Sequence, residues 1–142
     1  MIVIDASALL KLVLDEEHSK ETRAIVHGEL GNGESIVAPE LVFTETLNTL
    51  RTQNISGKKL AEAELAAAVD DLFEIFTRID PVSTIDVGRN ALKISIEHKL
   101  TVYDAVYIAS SILKGAPLLT FDREMALAAR KLHVEVMGYS DN

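Results

Sequence analysis

Four acidic residues, spread along the chain, are candidates for chemistry on a phosphodiester: Asp5, Glu45, Asp104 and Asp122. Clustered carboxylates bind hard divalent cations such as Mg²⁺ or Mn²⁺, which prefer oxygen ligands and keep water molecules for a substrate. A bound ion would offset the repulsion among four negative charges. It would also activate a water molecule and neutralise the charge that develops on a phosphodiester during in-line attack. The four residues are therefore candidate metal ligands and catalytic groups.

Two small hydroxyl residues stand beside these acids, in the segments Asp5-Ala6-Ser7 and Thr120-Phe121-Asp122. Hydroxyls next to metal ligands can orient carboxylates or water molecules from behind. Ser7 and Thr120 are therefore predicted to support the site. A simple helix cap for Ser7 and a strand filler for Thr120 are open alternatives.

Each acid also has an ordinary structural interpretation. An Asp at the end of a strand can close a turn or cap the next helix. The segment Thr101-Val102-Tyr103-Asp104 matches a capping box, in which the Asp104 carboxylate would return to the first backbone amides. A helical projection of residues 39–52 places Glu45 opposite the apolar side, where a carboxylate is usually solvated. The residues alone leave these alternatives open.

The elements that must position the acids are short apolar segments alternating with longer helical ones, a pattern typical of a parallel sheet covered by helices. The predicted strands cover residues 2–4, 35–38, 77–79, 118–121 and 134–137. The predicted helices cover residues 7–15, 19–31, 39–52, 56–76, 83–99, 101–115 and 124–132. We therefore expect one domain over residues 1–142, folded as a three-layer α/β/α sandwich around a central parallel sheet.

The ends of these strands decide where the acids meet. In open parallel sheets, functional groups collect beyond the carboxyl ends of the strands. Asp5 ends the first predicted strand and Asp122 follows the fourth. The two carboxylates are expected in one crevice if those strands are neighbours.

Composition limits the classes of function. The chain has no cysteine, which excludes disulfides, thiolate zinc sites and a cysteine nucleophile. No apolar run approaches the roughly 20 residues that span a bilayer, and no signal peptide is recognised, so a cytoplasmic protein without membrane contact is expected. The net charge of −8 argues against binding nucleic acid through the protein surface alone. Divalent cations or a basic partner would have to offset it.

Four segments occur in a fixed order along the chain: Ile2-Val3-Ile4-Asp5-Ala6-Ser7-Ala8-Leu9, Pro39-Glu40-Leu41 followed by Glu45-Thr46-Leu47-Asn48-Thr49-Leu50, Thr101-Val102-Tyr103-Asp104-Ala105, and Leu119-Thr120-Phe121-Asp122. Each is weak alone, but together they resemble the PIN-domain toxins of the VapC type over nearly the whole chain. The resemblance implies an endoribonuclease that uses Mg²⁺ or Mn²⁺. It also implies inhibition by a cognate VapB-like antitoxin, and such proteins are usually homodimers.

Matching the segments residue by residue assigns the acidic cluster to the same four positions, with Asp5 and Asp104 as the expected direct metal ligands. Glu40 competes with Glu45 for the second position. Glu45 fits better, because it precedes the asparagine and leucine of the pattern. Affinity for RNA would come from the metal, from Arg123 near the site, or from charges gathered across a dimer.

Other phosphate-handling folds fit the sequence less well. Receiver domains need paired acids after the first strand, where this chain has only Asp5, and a lysine at a late strand end. Aspartate-nucleophile phosphatases need a second Asp two residues later, where Ser7 stands. A glycine-rich dinucleotide turn does not follow the first strand. The remaining alternative is a binding module that has the fold without the catalysis.

The helix predicted over residues 56–76 has apolar side chains over about half of its circumference. Its acids, Glu64, Asp70, Asp71 and Glu74, gather on one side. The apolar surface is wider than a single sheet contact needs, so an antitoxin or a second subunit is expected to bury part of it. An alanine-rich helix lodged within the core is the alternative.

Overall fold

A computed structural model describes residues 1–57 and 59–141. Lys58 and Asn142, which fall within the predicted helix 56–76 and the predicted domain 1–142, lie outside the described residues. The strands are β1 (Ile2–Ile4), β2 (Ile36–Pro39), β3 (Ile79–Val82), β4 (Leu118–Thr120) and β5 (Val136–Gly138). The helices are α1 (Ala6–Val13), α2 (Ser19–Gly31), α3 (Leu41–Ser56), α4 (Glu62–Phe76), α5 (Thr84–His98), α6 (Val102–Lys114) and α7 (Arg123–Lys131).

All five strands are parallel, in the order β3-β2-β1-β4-β5. Strands β1, β2 and β4 are buried along their whole length, as expected for strands covered on both faces. Crossovers between parallel strands are right-handed, so α1 to α4 lie on one face and α5 to α7 on the other. The predicted three-layer α/β/α sandwich is confirmed.

In each helical layer, one helix packs against several of the elements that surround it. Helix α1 packs against α2, α3 and α4, while α6 packs against β1, β2 and β4 and against both of its neighbouring helices. Every residue of α6 from Ala105 to Ser111 is buried, so the position of its N-terminus is fixed by the core. None of the helices within residues 1–57 and 59–141 is long and apolar enough to cross a bilayer.

The strand order reverses between β1 and β4. From β1 the chain proceeds through β2 to β3 on one side, and from β4 to β5 on the other. Such a reversal opens a crevice at the carboxyl ends of the two central strands. Asp5 follows β1 and Asp122 follows β4, so the adjacency that brings these two acids to one crevice is present.

The predicted helix 56–76 was wrong at its start. Helix α3 continues to Ser56, and α4 begins only at Glu62. The Ser56 hydroxyl donates back to the Thr52 carbonyl at 2.6 Å, so it closes the last turn of α3 instead of capping the next helix. The Asn54 side chain then accepts the Leu60 amide at 2.8 Å and so links Leu60 to the last turn of α3.

Two prolines shifted predicted boundaries. Pro39 was expected in the first turn of a helix, but it ends β2 and pairs with Val82. Strand β3 was expected over residues 77–79, but it covers 79–82 and includes Pro81. Because β3 is an edge strand, the missing amide of Pro81 leaves no partner strand unpaired.

We predict that Gly138→Ala destabilises the fold more than Gly33→Ala. Both glycines have a positive φ, +95° and +74° respectively. A Cβ at Gly138 would lie 2.6 Å from the Thr120 carbonyl oxygen, whereas nothing lies within 4 Å of a Cβ at Gly33. Backbone strain alone costs about 1–2 kcal/mol, and we expect the clash at Gly138 to add about as much again. Chemical denaturation of both variants measures the difference, and equal losses would contradict it.

Candidate active site

The carboxylate of Asp5 is buried, with 2% of the residue exposed. Asp5 is the N-cap of α1 and accepts the Ala8 amide at 2.8 Å. The Ser7 hydroxyl donates to both of its oxygens, at 2.8 and 2.9 Å. The Thr120 hydroxyl donates to Oδ2 at 2.5 Å. Three donors therefore compensate a negative charge that burial would otherwise disfavour.

The two hydroxyls also connect β1 to the loop after β4. Ser7 Oγ accepts the Phe121 amide at 3.1 Å, and Thr120 Oγ1 accepts the Asp122 amide at 3.0 Å. Each hydroxyl donates to Asp5 and accepts from the backbone beside Asp122. The structure thus joins the first and fourth strand ends through hydrogen bonds that converge on one carboxylate.

Asp122 and Asp104 both lie at helix N-termini. Asp122 is the exposed N-cap of α7 and accepts the Met125 amide at 2.7 Å. Asp104 is partly buried in the first turn of α6, and its amide donates to the Thr101 hydroxyl at 3.1 Å. Only this half of the expected capping box is formed among the hydrogen bonds of the described residues. The Asp104 carboxylate does not return to the backbone, so it is available to the crevice.

Glu45 lies in the middle of α3 and is partly buried, not solvated. The projection of residues 39–52 was wrong about this face, because the buried stripe of α3 is formed by Val42, Thr46 and Leu50. Thr46 is fully buried, although threonine side chains are mostly exposed in proteins. Because this stripe faces the core, Glu45 lies on the side of α3 toward the crevice. Glu40, the competing acid, is exposed just before α3 begins.

The acids affect one another electrostatically. Burial raises the pKa of Asp5 to about 6, although the hydrogen bonds from Thr120, Ala8 and Ser7 oppose this rise, and the charge of Asp122 adds to it. Burial also raises the pKa of Glu45 to about 7, and the charges of Asp5, Asp104 and Asp122 raise it further. The four carboxylates therefore lie close enough to affect one another electrostatically.

The pKa of Asp104 is raised as well, first by burial and then by the charges of Asp122 and Glu124, while Thr101 opposes the rise. Glu124 was not anticipated from the sequence. It stands two residues after Asp122, in the first turn of α7. That proximity in sequence was the available indication.

Tyr107 is the second residue that the sequence analysis missed. It lies on α6, three residues after Asp104, and is fully buried. Its hydroxyl is near Glu45 but makes no hydrogen bond within the described residues. Burial raises the pKa of the phenol, and the charges of Glu45, Asp5 and Asp104 add to this rise. The spacing of three along a helix, which puts two side chains on one face, was the signal that could have found it.

The donor set suits a hard divalent cation, because it consists of carboxylate oxygens that repel one another without a positive charge. As the side chains stand, no three Asp, Glu or His groups within residues 1–57 and 59–141 converge closely enough to enclose an ion. The partly buried or exposed acids Glu45, Asp104 and Asp122 would have to turn toward Asp5. The chemistry of the residues therefore fits the ion, although the side chains as they stand do not enclose one.

Comparison with known proteins identifies the family. The profile of the PIN domain matches residues 2–131. The chain belongs to the PIN-domain family. The resemblance to the VapC type is also confirmed, because this PIN domain is 31% identical to Ribonuclease VapC3 of Pyrobaculum aerophilum over 88% of the chain and 92% of that protein.

Two crystal structures share the fold of this PIN domain. PAE2754 from Pyrobaculum aerophilum superimposes with a TM-score of 0.68 at 23% identity, covering 95% of this chain and 81% of its own. VapC20 of Mycobacterium tuberculosis, described as a toxin that cleaves the sarcin-ricin loop, superimposes with a TM-score of 0.62 at 20% identity. It covers 90% of this chain and 95% of its own. At these identities the two structures support the fold alone.

We predict that the metal-free protein loses stability as pH rises through about 7, in part because of Glu45. A carboxyl whose pKa is raised from 4.5 to about 7 by folding keeps its proton in the native state after the unfolded chain has lost it. Its stabilising effect is therefore complete below pH 4.5 and lost above pH 7. Glu45→Gln should flatten this decline and raise the thermal midpoint at pH 8 by about 2–4 °C, the shift expected for roughly 1 kcal/mol.

Thermal unfolding in EDTA from pH 4.5 to 8.5 provides the test. Glu40→Gln is the matched control, because Glu40 is exposed and its side chain makes no cap hydrogen bond that the substitution would remove. If the thermal midpoint of Glu45→Gln falls as steeply with pH as that of the natural protein, the raised pKa of Glu45 does not cause the decline.

Proposed function

We propose that this PIN domain is a metal-dependent endoribonuclease and the toxin of a type II toxin–antitoxin pair. The observation that carries the proposal is the buried Asp5 carboxylate, joined through Thr120 and Ser7 to the strand end that presents Asp122. The similarity to a protein named a VapC ribonuclease supports RNA as the substrate. A cytoplasmic location remains a prediction.

In this proposal, the four carboxylates would hold Mg²⁺ or Mn²⁺, with Asp5 and Asp104 as direct ligands. Such an ion supplies an activated water molecule and neutralises charge on the scissile phosphodiester. The Thr120 and Ser7 hydroxyls keep Asp5 in one orientation, because both donate to its oxygens. Asp104 lies in the first turn of α6, and Asp122 caps the N-terminus of α7.

RNA binding needs positive charge that this acidic chain has in short supply. Arg123 follows Asp122 directly and is exposed at the crevice. The cation itself would contribute the largest local positive charge. We therefore expect affinity for RNA to depend on the metal more strongly than in a nuclease with a basic groove.

We predict that the purified protein cleaves RNA with Mg²⁺ or Mn²⁺ and does not cleave it in EDTA. Removal of a hydrogen-bond partner of a metal ligand typically lowers activity by roughly 10- to 100-fold. The Asp5→Asn and Asp104→Asn variants should lose more activity than that. Thr120→Val should fall within that range, because it removes a donor to Asp5 and leaves the carboxylate. Initial rates on a mixed RNA panel measure these effects, with Glu40→Gln as the control variant.

Each outcome of this assay assigns a function. Metal-dependent cleavage that both Asp variants lose would establish the nuclease and its ligands. Cleavage that survives both would belong to a contaminant. No cleavage by any sample, together with no binding of Mn²⁺, would favour the alternative of a catalytically inactive binding module.

A homodimer is part of the proposal, and an exposed stripe on α5 supports it. Ile85, Leu92 and Ile96 are 92%, 53% and 71% exposed. With Arg89 they recur every three or four residues along one side of the helix, the spacing of a helix–helix seam. Exposed apolar side chains aligned along one side of a helix, here with Arg89 among them, favour an interface.

The charges of α5 fit a second copy of the same chain. The helix carries two acids, Asp86 and Glu97, and two bases, Arg89 and Lys93, in a chain whose net charge is −8. In an antiparallel pairing about a two-fold axis, Ile85 would face Ile96 of the second copy and Lys93 would approach its Asp86. A two-fold axis makes each of these contacts twice.

We predict that Ile96→Lys converts the dimer to a monomer. The substitution places a charge in the stripe of each copy, so it should raise the dissociation constant at least about tenfold. Light scattering after size exclusion, over a range of concentrations, gives the mass. Ile55→Lys is the matched control, since Ile55 is 68% exposed at the end of α3. A natural protein that is monomeric, or an Ile96→Lys variant that stays dimeric, would contradict the α5 interface.

The antitoxin is assigned to a different surface, around α4. Only Ala68 and Leu72 of α4 are buried, and Phe73 is 54% exposed, so the alternative of a helix lodged fully in the core is wrong. A cleft of about 800 Å³ between the ends of α1 and α3 and the start of α4 adjoins this helix, and Asp15, Glu16, Glu64 and Asp71 are among its lining residues. A cleft that combines apolar side chains with four acids fits a basic amphipathic segment of a VapB-like partner.

A further inference from the structure

Tyr107 has a buried hydroxyl that the fold does not use. The residue is 0% exposed and is among the largest fully buried side chains of the chain. Its hydroxyl has no hydrogen-bond partner among the described residues. An unpaired hydroxyl in the core is unfavourable compared with the phenylalanine that would fill the same space. Packing therefore explains the ring of Tyr107 but not its oxygen.

The surroundings of that oxygen point to the acidic cluster. Helix α6 packs against β1 and places Asp104 and Tyr107 three residues apart on one face. The groups that act on the phenol are Glu45, Asp5 and Asp104, together with the backbone at Ala6. A tyrosine hydroxyl is protonated near neutral pH, so it is available here as a hydrogen-bond donor.

Among the carboxylates around the hydroxyl, Glu45 has the strongest electrostatic effect on it. It is the first of the charges that act on Tyr107, and Tyr107 in turn lies close enough to Glu45 to lower its pKa. In the metal-free structure the two groups face each other without hydrogen-bond geometry. The Glu45 carboxylate would have to rotate to accept a hydrogen bond from this hydroxyl.

We propose that Tyr107 is a positioning residue whose hydroxyl donates to the Glu45 carboxylate when a divalent cation is bound, and so fixes the orientation of Glu45 toward the ion. The inference rests on the proposed metal site. It gives the unpaired oxygen a partner that exists only in the loaded state. Glu45 needs such a partner more than Asp5 does, because Asp5 already has three donors.

The test combines Mn²⁺ titration of the full chain by calorimetry with thermal unfolding in EDTA. Tyr107→Phe should bind Mn²⁺ about 10- to 100-fold more weakly than the natural protein. Its metal-free thermal midpoint should be unchanged or higher, because the substitution removes an unpaired hydroxyl and keeps the ring. A purely structural tyrosine would move both measurements in the unfavourable direction.

Two control variants separate the hydroxyl of Tyr107 from other features of the same helix. Ser111→Ala removes another buried unpaired hydroxyl of α6, one turn further on. It should behave like Tyr107→Phe in EDTA and bind Mn²⁺ like the natural protein. Tyr103→Phe changes a tyrosine that is 69% exposed beside Asp104, and neither measurement should move.

A double variant tests whether Tyr107 acts through Glu45. If it does, Tyr107→Phe should weaken Mn²⁺ binding much less in a Glu45→Gln background than in the natural protein. Equal losses in both backgrounds would overturn the assignment to Glu45.

The remaining outcomes are distinct from failure of the proposed function. Natural protein that binds Mn²⁺, with a Tyr107→Phe variant that binds equally well, would overturn this inference and leave the metal site intact. Natural protein that does not bind Mn²⁺ would overturn the metal site and the role of Tyr107 together.

Discussion

The burial of the Asp5 carboxylate is the constraint on which the site depends. A negative charge beneath the surface is tolerated only if donors surround it, and three converge on Asp5. The donors come from α1 and from the end of β4, so satisfying one charge also fixes the two central strand ends against each other. The same hydrogen bonds explain why small hydroxyl residues occupy positions 7 and 120. A side chain without a hydroxyl there would leave the carboxylate short of a donor.

The other acids are held less tightly, and the difference has a physical basis. Asp104 and Asp122 are attached to helices whose starts are set by the core, but their carboxylates are partly or largely open to solvent. Glu45 belongs to a helix on the opposite layer. Mutual repulsion disfavours bringing such groups together without a positive charge between them. The site therefore combines one rigid carboxylate with three adjustable ones, at some cost in stability near neutral pH.

The sequence predicted the parts of this arrangement that depend on local pattern. A polar residue directly after a buried strand has one place to go, so Asp5 and Asp122 could be located from the strands alone. Glu45 could be assigned only through the family resemblance. The buried face of α3 includes the polar residue Thr46, and the hydrophobic periodicity did not indicate this face. Tyr107 was missed because a tyrosine within a buried helix is indistinguishable from a core residue. The direction of its hydroxyl is a tertiary property, as is the edge position of β3 that admits Pro81.

The two edges of the sheet are protected against addition of further strands. On one side, Pro81 removes an amide from β3, and exposed Asp80 places a charge beside it. On the other side, β5 has three residues, and the Arg130 guanidinium donates to the Tyr139 carbonyl just beyond it. Short, charged and proline-containing edges resist edge-to-edge pairing between chains. At high protein concentration these edges disfavour the strand pairing that leads to aggregates, and they leave the helices as the surfaces through which copies can meet.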